Sequence, residues 1–225
     1  MEFLRDLFRY MRERKKIWLI PLIVILLMTV LMVVIQACVN SPARSDNSEC
    51  NEELWSVRMA NSVMARNDSL LLYNGEPKVK WKYDIAFLGM AIDRLGDIDP
   101  GYSAYMKEFM DYFIGEEGSI QEYDLEKYNL DYVNPAKNLI TLYKSTGEEK
   151  YKLAMDQIVY QLENQPRTKS GGFWHKQVYP WQMWLDGVYM SGPFMAQYAR
   201  EFNEPEWFDE AVYQILHIYE RTLDK

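Results

Sequence analysis

The chain repeats itself, and that repeat limits its fold more than any other feature. Three segments lie over one another, beginning at Tyr83, Leu130 and Leu185. Each opens with an apolar or aromatic residue and an aspartate. The leading aspartates are Asp84, Asp131 and Asp186, spaced 47 and 55 residues apart. Each segment continues as an apolar helix, breaks at a Gly, Asn or Pro turn, and resumes as a more polar helix. In the second unit Tyr151, Ala154, Ile158 and Leu162 form a single apolar stripe at helical spacing. A repeat of this length is one supersecondary unit that must stack on its neighbours to bury its apolar face. Here the unit is a helical hairpin. No run of alternating strands competes with it. Apolar helices wrapped by amphipathic ones give an all-α fold, a partial α/α toroid of helical hairpins. Such a stack places every inner-helix start on one rim. The long connections 115–130 and 164–184 should lie on that rim with the three aspartates.

The second connection reads "GGFWHKQVYPWQMWLDGVYM" from Gly171 to Met190. It holds three tryptophans, one of the chain's two histidines and one carboxylate, Asp186. An aspartate at a helix start has an ordinary use as an N-terminal cap, worth about 1 kcal/mol. The surroundings of these aspartates are not ordinary: "WKYD", "KYNLD" and "YPWQMWLD" put aromatic groups where loops are usually polar. Flat apolar faces hold sugar rings, and an acid among them can deliver a proton. Aromatic burial and a neighbouring anion both favour the protonated form of a carboxyl group. The flanks of Asp186 and the presence of Asp131 offer both influences. His217, on the last outer helix, reads as a surface or packing residue.

The N-terminal segment differs from the rest. Residues 1–16 carry six basic and three acidic side chains, and Ile17–Ala37 carries no charge. Twenty-one such residues match the roughly 20 needed to cross a bilayer. The basic flank predicts a cytoplasmic N-terminus. The ending "IQAC" at Cys38 leaves a second reading open, a lipoprotein acylated at Cys38. The expected organisation is a cytoplasmic segment and transmembrane helix over 1–37, a linker over 38–50, and a helical domain over 51–225. The opening also resembles small single-span bacterial proteins of unknown function. Beyond residue 37 there are 19 basic and 30 acidic side chains. That balance argues against nucleic acid as the main partner. The two cysteines, Cys38 and Cys50, have no metal-type spacing, and neither a metal site nor a cofactor is expected.

The motifs "WSVRMANSVM", "KWKYDIAFLGMAI", "YNLDYVNPAKNLITLYK", "RTKSGGFWHK" and "YPWQMWLDGVYM", in this order, resemble the unsaturated rhamnogalacturonyl hydrolases, glycoside hydrolase family 105. The resemblance covers about residues 55 to 225. It implies a six-hairpin α/α barrel and removal of the 4,5-unsaturated uronic acid that pectin lyases leave on an oligosaccharide. By the same resemblance Asp186 is the acid/base, Asp131 the second rim aspartate, and His175 a substrate contact. Trp181, Trp184 and Tyr179 are candidates for sugar-facing or packing surface. Tyr83, Asp84 and Asn134 complete the candidate binding residues, and Lys137 could line the rim or merely start a helix.

The chain supplies one leading helix and three hairpins where the family barrel has six. A broken or half-assembled enzyme, self-associating through an open edge, is therefore one expectation. A membrane-anchored pseudoenzyme or carbohydrate-binding module is the alternative. The last unit leaves Trp207, Phe208, Val212, Ile215 and Ile218 in need of neighbours. The charge pattern places residues 39–225 on the extracytoplasmic side, so a topology reporter fused after Lys225 should report export. Activity of that reporter in the cytoplasm alone would reverse the assignment, and intact mass separates an uncleaved anchor from a chain acylated at Cys38.

Overall fold

The computed structural model describes residues 54–75 and 80–223. They form seven α-helices: α1 (Trp55–Met64), α2 (Tyr83–Asp93), α3 (Pro100–Phe113), α4 (Ala136–Thr146), α5 (Glu149–Glu163), α6 (Leu185–Phe202) and α7 (Glu206–Thr222). Leu70–Gly75 is a 3-10 helix. Among the described residues the only β-pairings are two isolated bridges, Ile114 with Ile120 and Arg167 with Phe173. No helix among them is long and apolar enough to cross a membrane. The expected span 17–37 and linker 38–50 lie outside the described residues.

The hairpins are α2–α3, α4–α5 and α6–α7, each packed on itself. Helices α2, α4 and α6 neighbour one another. The buried Asn138 of α4 donates to the carbonyl of Ala86 in α2 (2.8 Å), and α4 packs along α6. Their C-terminal ends, at Arg94, Lys144 and Arg200, line one cleft of about 600 Å³. The three helices therefore run in the same direction, and the leading aspartates share the opposite end.

The turns follow local chemistry. Asp99 caps α3 by accepting from Gly101 N (2.7 Å), with Pro100 beginning the helix. Gly147 closes α4 and Asn203 closes α6, both left-handed. In α5 the stripe Tyr151, Ala154, Ile158 and Leu162 is buried, joined by Met155. Helix α7 divides its apolar residues. Trp207, Ala211 and Ile218 are buried, whereas Phe208, Val212, Ile215 and Tyr219 are exposed. Of the five residues expected to need neighbours, two have them.

An ionic network ties α3 to the start of α5. Lys107 reaches Asp111 (2.7 Å) and Glu148 (3.1 Å), and Lys150 reaches the same two acids at 3.1 Å each. Tyr151 donates to Asp111 (2.6 Å). Burial pushes the Asp111 carboxyl up, but the bonds from Lys107, Tyr151 and Lys150 outweigh it and hold it below the usual carboxylate value. A lowered folded-state value adds stability above the unfolded value, near pH 4, that is lost as pH falls through the folded value. Asp111→Asn should therefore cost roughly 1 kcal/mol at neutral pH, a figure already discounted for solvent screening. The gap between the two proteins' melting temperatures should close on acidification. A gap that widens in acid would contradict this role.

Candidate active site

Two connections build the rim, and both are held by the end of α5. The Gln165 amide, 3% exposed, donates to the carbonyls of Tyr128 and Trp174 at 2.8 Å each. Gln161, fully buried, donates to Gln165 and to the Asn129 carbonyl, and accepts from Tyr123. Backbone bonds then join the connections directly, Leu130 N to His175 O (3.0 Å) and Gln177 N to Lys127 O (2.8 Å). A buried backbone in an irregular loop must find partners for its polar groups, and these glutamines supply several.

Asp131 does not begin α4. It sits in the 3-10 turn Leu130–Tyr132, where the Asn129 side chain accepts from Asp131 N (3.0 Å). Pro135 disfavours the helical conformation at the residue before it, so α4 starts only at Ala136. Asp84 and Asp186 do lie in the first turns of α2 and α6. Neither is the cap residue: Lys82 and Trp184 hold those positions, without side-chain cap bonds. The ordinary use of these aspartates as N-caps is therefore not the one they serve here.

His175 brings Asp131 and Asp186 together. Its Nε2 lies 3.3 Å from Asp131 Oδ1 and 3.8 Å from Asp186 Oδ2. The imidazole is 1% exposed and stacks on Trp184 at 4.4 Å and 11°. Its Nδ1 is buried without a hydrogen-bond partner. A proton there would be a buried donor with no acceptor, so the neutral ring carries its proton on Nε2, facing the carboxylates.

Lys176, which the sequence reading passed over, places its ammonium 2.6 Å from Asp131 Oδ2. It follows His175 directly in "WHK", and that adjacency was the available signal. Burial pushes the Asp131 carboxyl up, but His175 and Lys176 together hold it below its usual value. Asp131 is thus an anchored anion. Asp186 differs. Its side chain is 54% exposed, so the expected aromatic burial of this acid is not met. The donor atoms of Asp131, His175 and Asp186 lie within 4.8 Å of one another, close enough to share a cation. The Lys176 ammonium already supplies a positive charge to that group.

Beside Asp131 opens a cleft of about 430 Å³, lined by Trp81, Tyr83, Asp84, Lys127, Asn129 and Tyr132 among others. Its back wall is fixed by Trp81, 1% exposed, whose indole N–H donates to the Tyr132 carbonyl (2.9 Å). Tyr83 and Asp84 therefore share a cavity with Asp131. Asn134 is buried, with its Nδ2 unpartnered, and so does not present itself on the rim. Lys137 is also buried, its ammonium 5.1 Å from the Tyr189 ring and 5.6 Å from that of Phe87. Burial and the charge of Arg94 lower its pKa. Tyr179 stacks on Trp184 (5.0 Å), which with the His175 stack makes Trp184 a packing residue. Trp181, 62% exposed, keeps the most open surface of the three indoles in this connection. His217 meets Ser170 Oγ at 3.0 Å, a packing role.

A rim with two carboxylates facing one imidazole nitrogen, beside an aromatic-walled cleft, has the parts of a saccharide-processing site. The comparisons with known proteins point the same way. The family model Glycosyl Hydrolase Family 88 matches residues 55–225, and the chain belongs to that family. Residues 1–43 match a family of unknown function, DUF5989. A solved glycoside hydrolase of family 105 from C. acetobutylicum ATCC 824 is 39% identical, with a TM-score of 0.69. The match covers 77% of this chain and 46% of that one. A possible family 105 member from Klebsiella pneumoniae shares the fold at 21% identity and a TM-score of 0.52, over 64% of this chain and 38% of that one. The unsaturated rhamnogalacturonyl hydrolase YesR of Bacillus subtilis (strain 168) is 27% identical over 149 residues, 64% of this chain and 41% of that protein. The chain thus spans less than half the length of these relatives.

Gly187 lets His175 seat against α6. A Cβ there would stand 3.0 Å from His175 Nδ1 and 3.0 Å from Leu130 Cδ1. Gly187→Ala should push the ring off Asp131 and cost about 1–3 kcal/mol through overpacking. Histidine ring-nitrogen shifts by NMR, read beside a thermal melt, check this. Unchanged His175 shifts would show that the ring does not depend on the glycine.

Proposed function

We propose that this site acts on 4,5-unsaturated uronyl oligosaccharides of the kind the Bacillus relative is named for. The observation that carries the reading is the meeting of Asp131 and Asp186 across His175. The hairpins are read as part of the family's α/α toroid. The domain is placed outside the cytoplasm, behind the uncharged segment Ile17–Ala37.

The substrate is a vinyl ether, and its chemistry needs one mobile proton. Asp186, the exposed carboxyl of the pair, gives its proton to C4 as the C4–C5 π bond breaks. Positive charge develops at C5 and on the ring oxygen. The Asp186 carboxylate then takes a proton from water while the water oxygen bonds to C5. The resulting hemiketal opens, so the anomeric carbon is not attacked directly. The carboxylate spacing that separates retaining from inverting glycosidases therefore has no bearing here. Asp131, anchored by Lys176, places a fixed negative charge beside the positive charge that develops in the ring. His175 holds the two acids in register.

The test is Asp186→Asn, which keeps the shape and removes the transferable proton. Turnover of an unsaturated galacturonyl-rhamnose disaccharide, followed by loss of the double bond's ultraviolet absorbance, should fall about 100-fold or more. Turnover near that of the native chain would assign the proton to another group. Absence of turnover in the native chain, with acidic saccharides still bound, would favour a carbohydrate-binding role.

A further inference from the structure

A third cleft lies between the 164–184 connection and the end of α7. It measures about 480 Å³ and is lined by Thr168, Lys169, Ser170, Trp181 and Arg221. Among the described residues it carries two cations and no carboxylate. Neither Lys169 nor Arg221 has an ion-pair partner among the described residues, and both are exposed. The hydroxyls of Thr168 and Ser170 bond each other (3.1 Å), and Ser170 reaches His217. The floor of this cleft is therefore held in place.

Trp181 is the unusual wall. Its backbone is left-handed, at φ 66°, and its indole is 62% exposed. For a bulky side chain that conformation costs on the order of 1–2 kcal/mol. Exposure also forgoes the burial that an indole normally gains. The ring is nevertheless positioned, with its partner Trp174 meeting it edge-on at 4.8 Å. A strained backbone that holds an aromatic face open to solvent needs an explanation beyond packing.

The cleft and the rim are built from the same connection. Trp181 lies five residues before Asp186, and Trp174 directly precedes His175. Arg221 comes from the last turn of α7, which returns alongside α6 to the end where Asp186 sits. A flat apolar face flanked by two unpaired cations suits a sugar ring that carries a carboxylate. The ring stacks, and the charges meet the acid.

We infer that this cleft is a distal subsite for a second uronate, so that the chain takes acidic oligosaccharides longer than a disaccharide. The inference rests on the proposed function, because it extends the same bound saccharide away from the reacting ring. Trp181 supplies the stacking face, and Lys169 and Arg221 supply the charge.

The test reads binding, not turnover. Saturated digalacturonic and tetragalacturonic acids lack the reactive double bond. Each is titrated calorimetrically into the full-length chain in mild detergent. The tetramer should bind about 10-fold more tightly than the dimer. The Lys169→Ala/Arg221→Ala double variant should erase that advantage. Trp181→Ala should weaken the tetramer more than the dimer. Equal affinity of the native chain for both acids, or no binding of either, overturns the subsite. So does a double variant that weakens both acids alike or leaves the tetramer's advantage intact. Turnover of the unsaturated disaccharide, measured on the same sample, separates the two ideas. Turnover without a length effect removes the subsite alone, and a length effect without turnover removes the proposed reaction alone.

Discussion

The site depends on one buried pair of amides, Gln161 and Gln165, at the end of α5. Between them they bond the carbonyls of Tyr128, Asn129 and Trp174, the Tyr123 hydroxyl and each other. Both connections that form the rim pass through this point. Each carbonyl would otherwise be an unsatisfied buried acceptor, costing about 1–3 kcal/mol. The bonds also set distances. Trp174 and Tyr128 are held to one amide nitrogen, so His175 and the turn carrying Asp131 cannot drift apart. The 3.3 Å contact between His175 and Asp131 follows from bonds made by residues that touch neither side chain.

With the frame fixed, the two carboxylates acquire different characters. Asp131 is largely covered and bound to an ammonium, and it stays ionised. Asp186 stands at the start of α6 with more than half its surface open and, among the described residues, no salt bridge to lysine or arginine. Two acids held apart in environment, although close in space, are what acid–base work at one centre requires. The imidazole between them faces both with one nitrogen, Nε2. It acts as a spacer with a donor.

Much of the fold was legible because it is periodic. The buried stripe of α5 and the turn at Gly147 follow from apolar spacing and from the backbone freedom of glycine. The meeting of Asp131, His175 and Asp186 on one rim followed from the repeat and from the motifs around them. What stayed hidden is aperiodic. Nothing in "LDYVNP" distinguishes an aspartate that opens a helix from one in a separate 3-10 turn, except the proline that delays the helix. Lys176 drew no reading, because its partner lies 45 residues away in sequence. Asn134 read as a rim residue because polarity is the usual sign of exposure, yet it is 1% exposed. The aromatic sequence around Asp186 suggested burial. The rings instead pack on His175 and on one another, and leave the acid open.

The outer helices account for the remaining precision. Each is amphipathic, yet α5 and α7 carry glutamine inside the buried face. Gln214 of α7, 1% exposed, accepts from Phe173 N (2.9 Å) and donates to the Gly171 carbonyl and to Glu210. Tyr213 donates to the Ser170 carbonyl (2.8 Å), in a fit so close that a Cβ on Gly171, at φ 99°, would fall 2.0 Å from the Tyr213 hydroxyl. Apolar burial alone would have pressed the 164–184 connection onto α7 in many registers, because the hydrophobic effect has no direction. Hydrogen bonds do have direction. Buried amides on each loop select a single register at a cost that is repaid only when every bond forms. The repeat therefore supplies the stack, and three glutamines, two within its outer helices and one just past the end of α5, turn the stack into a site.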